Sequence, residues 1–280
     1  MTETDELIAL IRADSAARGA PLSRLGYFCA PFRPASGPFA DRVVKVYRAM
    51  SDRAAAERLA RAHDDYADAL RATGVPLPET EIRLLQIDGA LVPVILQQAL
   101  PAESMMRPQM QTAELPRALA MMEAAGRVIA GFWNAADGFE TRIGFHPSIR
   151  NFAVDGERAI FFDTFPPLIH YSRDEMGRLL LQFSEKRLMR LIGPLMRARV
   201  TAIQDEWYSP AETVVGIVGS ACRLRPDDSP AFLDWGRDFA ARRMPRWEAE
   251  IVEGLARPPR LPREWTALRK LLGLQGEPNL

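Results

Sequence analysis

The stretch "EIRLLQIDGALVPVILQQAL", residues 81 to 100, constrains the fold more than any other. Two apolar, β-branched runs flank Asp88-Gly89, and Asp-Gly is among the strongest short signals for a tight hairpin, because Gly and Asp tolerate positive φ. An antiparallel pair here rules out an all-helical chain. A second strand pair is expected upstream, where "GYFCAPF" and "RVVKVYRAM" are separated by the turn-rich "RPASGPFAD". A third is expected in "NFAVDGERAIFF", with its turn at Asp155-Gly156.

Helical patterns surround these strands. Residues 4 to 18 form a short amphipathic segment. Residues 51 to 72 read as a helix with Ser51 as its N-cap, stopped by Gly74 and the prolines of "TGVPLPET". Residues 113 to 136 carry Leu119, Met122, Ile129 and Trp133 at helical spacing. From Ser172 onward one long segment, kinked at Pro194, and three further helices are expected before "RPPRLPREW". The sequence thus predicts an α+β protein. Its sheet-based N-terminal lobe covers residues 1–100, and its mainly helical C-terminal lobe covers 101–280.

Charge and cysteine usage narrow the partners. Thirty-six basic residues balance thirty-six acidic ones, which argues against a nucleic-acid-binding surface. Cys29 and Cys222 show neither metal nor disulfide spacing. With no apolar stretch near the roughly 20 residues a membrane span needs, and an acidic, amphipathic start, a cytoplasmic protein with no membrane partner is expected.

Lysine is scarce. Only Lys45, Lys186 and Lys270 occur, and Lys45 lies inside the apolar run "RVVKVYR". One reading is a stem packed on the sheet with its head in water. The other is a reaching ammonium that a phosphate site needs. Asn151 and Asp163, twelve residues apart and flanking the third strand pair, add oxygen donors suited to a hard cation. Singly, each would be read as a turn or capping residue.

Taken together, "VVKVYR", "HPSIRNFAV" and "AIFFDTF" resemble the nucleotide-lysine strand, the catalytic loop and the metal-aspartate strand of the protein-kinase-like superfamily. The likeness is to its small-molecule branch of aminoglycoside and choline kinases, and covers about residues 26 to 167. It implies a two-lobed kinase-like fold, with ATP and Mg²⁺ as cofactors and a small-molecule hydroxyl as phosphoryl acceptor. It gives Lys45 to the phosphates and Asn151 with Asp163 to the metal. A carboxylate on the first long helix would hold the lysine. Glu57, Asp64 and Asp65 are candidates, Asp64 and Asp65 lie nearest, and Asp64 is carried forward. "LQQALP" becomes the hinge, with backbone groups from Gln98 to Leu100 meeting the adenine edge.

The sequence departs from the family at two points. No glycine-rich phosphate loop is present, since "GYFCAPFRPASGPF" has glycine only at Gly26 and Gly37. The family's catalytic aspartate stands five residues before the asparagine, where this chain has His146; a register aligned on "HP" gives Gly144 instead. His146 is the candidate base, because an imidazole titrates near neutral pH. Asp137 and Glu140 are the other carboxylates nearby. Alternatives to a phosphotransferase are a catalytically silent nucleotide-binding scaffold and a nucleotidyl transferase on the same fold.

Overall fold

The computed structural model describes residues 2–17, 29, 31–183 and 204–257. The protein is α+β, with two small antiparallel sheets among helices in the described residues. Its contacts divide it into two compact units. One comprises the described residues within 1–68, 78–99 and 164–201; the other those within 69–77, 100–163 and 202–280.

The first unit is built on the expected hairpin. Strands β2 (Thr80–Ile87) and β3 (Ala90–Gln98) pair from Ile87↔Ala90 out to Thr80↔Gln97. Asp88 (φ 49°) and Gly89 (φ 81°) form the two-residue turn, both in the left-handed region that a type I′ turn demands. Strand β1 (Arg42–Val46) takes the other edge of β3, giving the order β1-β3-β2. The upstream strand pair is reduced to one bridge, Phe32 with Val44, while residues 26–28 and 30 of that run lie outside the described residues.

Side-chain alternation gives this sheet two different faces. Val44, Leu85, Val92, Val94 and Leu96 form a core with Leu7 and Ile11 of helix α1 (Glu3–Ala17). Each such side chain stabilises the layer by roughly 1.5–3 kcal/mol on full burial. Arg83 pairs with Glu3 at 2.9 Å across the same layer. The opposite face carries Lys45, Ile95, Gln97 and Thr80.

Helix α2 (Arg53–Ala72) is capped by Asp52, not Ser51: the Asp52 carboxylate accepts the Ala55 N–H at 3.1 Å. Asp52 wins because it is adjacent to the first helical residue and reaches the third N–H. At the far end Gly74 (φ 80°) closes a Schellman motif, with Val75 N–H donating to Leu70 and Gly74 N–H to Arg71, both at 2.9 Å.

Helix α5 (Arg173–Phe183) starts with a reciprocal capping box. The Ser172 hydroxyl accepts the Glu175 N–H at 3.3 Å, and Glu175 accepts the Ser172 N–H at 2.8 Å. Arg58 of α2 binds Glu175 at 2.7 Å and the His170 carbonyl at 2.9 Å, with its guanidinium over the Tyr171 ring. Arg58 and the Ser172 bonds hold the Glu175 carboxyl at about 2. Tyr47 packs at 3.9 Å from Phe165 and edge-on to Phe183.

The second unit is mainly helical: α3 (Met106–Thr112), α4 (Leu115–Ala136), α6 (Pro210–Leu224), α7 (Ser229–Arg243) and α8 (Glu248–Ala256). Met122, Ile129 and Trp133 of α4 are buried as their spacing predicts, while Leu119 is half-buried. Gly126 is needed for close approach, since a Cβ there would stand 2.7 Å from the Phe239 ring of α7. Three helices close the described chain as expected. The expected long helix with its Pro194 kink falls mostly on residues 184–203, outside the described residues. Strands β4 (Phe152–Asp155) and β5 (Arg158–Phe161) form the third hairpin, turning at Gly156-Glu157 because Asp155 still pairs with Arg158. Among the described residues no helix is long and apolar enough to cross a membrane.

The depressed Glu175 carboxyl has a testable consequence. A carboxylate whose folded value lies below its ordinary 4.5 stabilises the fold above that value, and the contribution fades as pH falls from about 4.5 towards 2. Glu175→Gln should therefore lower the melting temperature at pH 7 and flatten its pH dependence between pH 5 and about 3. Parallel curves for the two proteins across that window would remove the pair from the acid response.

Candidate functional site

The polar loop before β4 is anchored by one aromatic side chain. Phe145 is fully buried, its ring 4.7 Å from Phe132 of α4 and 4.8 Å from Phe161 of β5. Its N–H donates to the Trp207 carbonyl at 2.7 Å. The next residue, His146, lies against the Trp207 indole, ring centres 4.5 Å apart. Apolar packing thus fixes the backbone on which the polar groups sit.

Asn151 then closes the loop. Its N–H donates to the Ser148 carbonyl at 2.8 Å and its side-chain Nδ2 to the His146 carbonyl at 3.0 Å. Its own carbonyl accepts the Phe162 N–H at 3.0 Å, extending the β4–β5 ladder by one step. With the amide nitrogen committed to His146, the Oδ1 acceptor points away from that bond. Asp163 follows Phe162 and is half-buried. The hairpin register thus brings Asn151 and Asp163 to the same open end.

The electrostatics agree with this proximity. Burial pushes the half-buried His146 imidazole below its ordinary value, and the Asp163 carboxylate opposes that shift without reversing it. His146 is therefore held neutral, able to accept a proton. Among the described residues no group of three His, Cys, Asp or Glu side chains gathers as a metal set. An Asn with an Asp instead suits a cation that completes its shell from water and phosphate oxygens, as Mg²⁺ does.

The remaining expected residues belong to the first unit or its border. Lys45 is 8% exposed and is engaged in an interaction of its own. The three candidate carboxylates of α2 have separate partners: Glu57 with Arg53 at 3.7 Å, Asp65 with His170 at 3.0 Å, and the exposed Asp64 with His63 Nδ1 at 3.7 Å. His63 is buried and shares a 2.9 Å hydrogen bond with Thr164. Gln98 is exposed and its N–H donates to Glu79, while Ala99 N–H donates to Asp41, both at 2.8 Å. Those two donors are already spent, and the Leu100 N–H has no partner among the described residues. Of the carboxylates upstream of the loop, Asp137 pairs with Arg246 and Glu140 is exposed.

Sequence reasoning missed Trp207, which lies some sixty residues beyond the loop it supports and carries no motif. A family described as "Family of unknown function (DUF6206)" matches residues 6–276. The chain belongs to the DUF6206 family. The DUF6206 match takes in Lys45, His146, Asn151, Asp163 and Trp207 alike. No curated protein matches the chain.

The bond from Asn151 to His146 separates two substitutions. Asn151→Ala removes one donor and should cost about 0.5–1.5 kcal/mol. Asn151→Asp replaces that donor with a carboxylate oxygen facing the His146 carbonyl, so it should cost more at pH 7 and recover in part on acidification. Urea midpoints for the two variants test this order, and an aspartate variant as stable as the wild type would refute the bond's role.

Proposed function

We propose that this protein is an ATP- and Mg²⁺-dependent phosphotransferase of protein-kinase-like fold, acting on the hydroxyl of a small molecule. The observation that carries the reading is the Asn151 amide bonded to the His146 carbonyl five residues upstream, with Asp163 at the same hairpin end. That bond spans the spacing at which the resemblance puts its catalytic residue before its metal asparagine.

Each residue has a distinct task. Asn151 Oδ1 and the Asp163 carboxylate would hold Mg²⁺, which when bound would supply positive charge to the phosphate oxygens. Lys45 contributes a compact ammonium to the nucleotide phosphates. The acceptor hydroxyl attacks the γ-phosphorus as the bond to the departing ADP oxygen breaks, and its proton passes to a ring nitrogen of His146. A neutral imidazole suits that task. Its contact with Trp207 fixes the ring without using a ring nitrogen.

A second reading is nucleotide binding without transfer. It is favoured by the same position, since a histidine stands there where the protein-kinase-like superfamily has its aspartate. Incubating the purified protein with ATP and Mg²⁺ and resolving products by mass separates the readings. ADP supports the kinase, pyrophosphate points to nucleotidyl transfer, and retained ATP supports the silent protein.

Three substitutions assign the roles. Asp163→Asn should abolish the Mg²⁺ dependence of thermal stabilisation by ATP while leaving the ligand-free melting temperature within a few degrees. Lys45→Met keeps the apolar stem and should weaken ATP binding with little loss of intrinsic stability. His146→Ala should lower turnover by about 10²–10⁴-fold at nearly unchanged ATP affinity. A fully active His146→Ala enzyme would take this residue out of the mechanism, and Mg²⁺-dependent stabilisation surviving Asp163→Asn would take out the metal assignment.

A further inference from the structure

The turn that supports His146 carries two buried polar atoms with nothing to bond. Gln204 is 2% exposed, and its Oε1 has no hydrogen-bond partner among the described residues. The hydroxyl of the half-buried Tyr208 is likewise covered and without a partner among them. Such atoms are costly to leave unmatched. Burial pushes the Tyr208 phenol up to about 12 even with Arg142 beside it, so the hydroxyl keeps its proton and can donate. Gln204 Oε1 can only accept.

The same turn brings both side chains to the His146 loop. Trp207 N–H donates to the Gln204 carbonyl at 3.0 Å and Tyr208 N–H to the Asp205 carbonyl at 3.1 Å. Residues three apart in so tight a turn share a face, which puts Gln204 on the side of Trp207, whose ring packs on His146. One residue on, the exposed Arg142 lays its guanidinium over the Tyr208 ring, 4.5 Å from the centre. Arg142 has no ion-pair partner among the described residues: Glu206 of the turn acts on Arg223, and Asp205 has an interaction of its own. Arg142 stands four residues before His146, so their Cα atoms lie at most ~14 Å apart. A planar fork of donors, a phenol donor and an amide acceptor thus gather within a small molecule's reach of one histidine.

We propose that Arg142, Tyr208 and Gln204 form the acceptor subsite, and that the acceptor is a small polyhydroxy acid and not a cationic or neutral alcohol. Its carboxylate draws the Arg142 fork off the Tyr208 ring, which opens the way to the atoms beneath. The carboxylate then accepts from Arg142 and from the Tyr208 hydroxyl. A second hydroxyl of the acid donates to Gln204 Oε1, and the reacting hydroxyl is left to His146. The inference rests on the phosphotransferase reading above and adds the charge of the acceptor, which that reading leaves open.

Titration calorimetry of the full chain at pH 7 with glycerate and gluconate, against glycerol and sorbitol, tests this. Each acid should bind at least about tenfold more tightly than its matching polyol, as a charge-assisted bond to a guanidinium implies. Arg142→Gln should bring that ratio to about threefold or less. Tyr208→Phe removes one oxygen atom and should weaken acid binding, yet leave the ligand-free melting temperature unchanged or higher, because an unmatched buried hydroxyl is gone. A hydroxyl that served only the fold would show the reverse. Acids that bind no better than polyols, or a preference unmoved by Arg142→Gln and Tyr208→Phe, overturn the subsite. Adding ATP and Mg²⁺ and resolving products by mass separates this inference from the reading beneath it. Bound acid that yields no ADP overturns the phosphotransferase and leaves a carboxylate site standing. ADP raised by the polyols but not by the acids overturns the subsite and leaves the phosphotransferase.

Discussion

The burial of Phe145 between Phe132 and Phe161 is the constraint on which the candidate site depends. The loop from Arg142 to Asn151 has no regular secondary structure, and a polar loop of that kind keeps a fixed shape only if something apolar holds it down. Phe145 does so, and its N–H finds the Trp207 carbonyl. His146 inherits its place from its neighbour, and Asn151 then ties the far end back with its amide. Geometry at the polar groups is thus a by-product of aromatic packing beneath them.

The elements legible in the sequence were those with local causes. Asp88-Gly89 needs only its own φ values to make a hairpin, and Gly74 only its own to stop a helix. That Asn151 and Asp163 lie at one end of a hairpin was legible because the β4–β5 hairpin is short, so the residues flanking it come to the same end. The kinase-like architecture drawn from that pair remains a proposal, and local pattern could not do more.

What escaped the sequence depends on long-range or competitive effects. Trp207 supports His146 from about sixty positions away, and periodicity carries no trace of such a contact. Ser51 and Asp52 were both competent helix caps, and one residue of register decided between them. Asp155-Gly156 looked like the turn, but strand pairing carried Asp155 into the ladder and moved the turn by one. The hydrogen bond from Gln97 Nε2 to the Thr80 hydroxyl, which itself donates to the Pro78 carbonyl, needed cross-strand register and the direction of a hydroxyl proton. Composition offers neither.

Helix α1 also shields one face of the sheet. Its Leu7 and Ile11 cover Val44, Val94 and Leu96, the face of the sheet opposite Lys45. A chain trimmed to begin after this helix would keep every candidate functional residue yet present those aliphatic side chains to water. Contiguous apolar surface on a small sheet invites self-association. Helix α1 is then best regarded as a cover for that face, and a shortened protein that precipitates would say nothing about the chemistry of the rest.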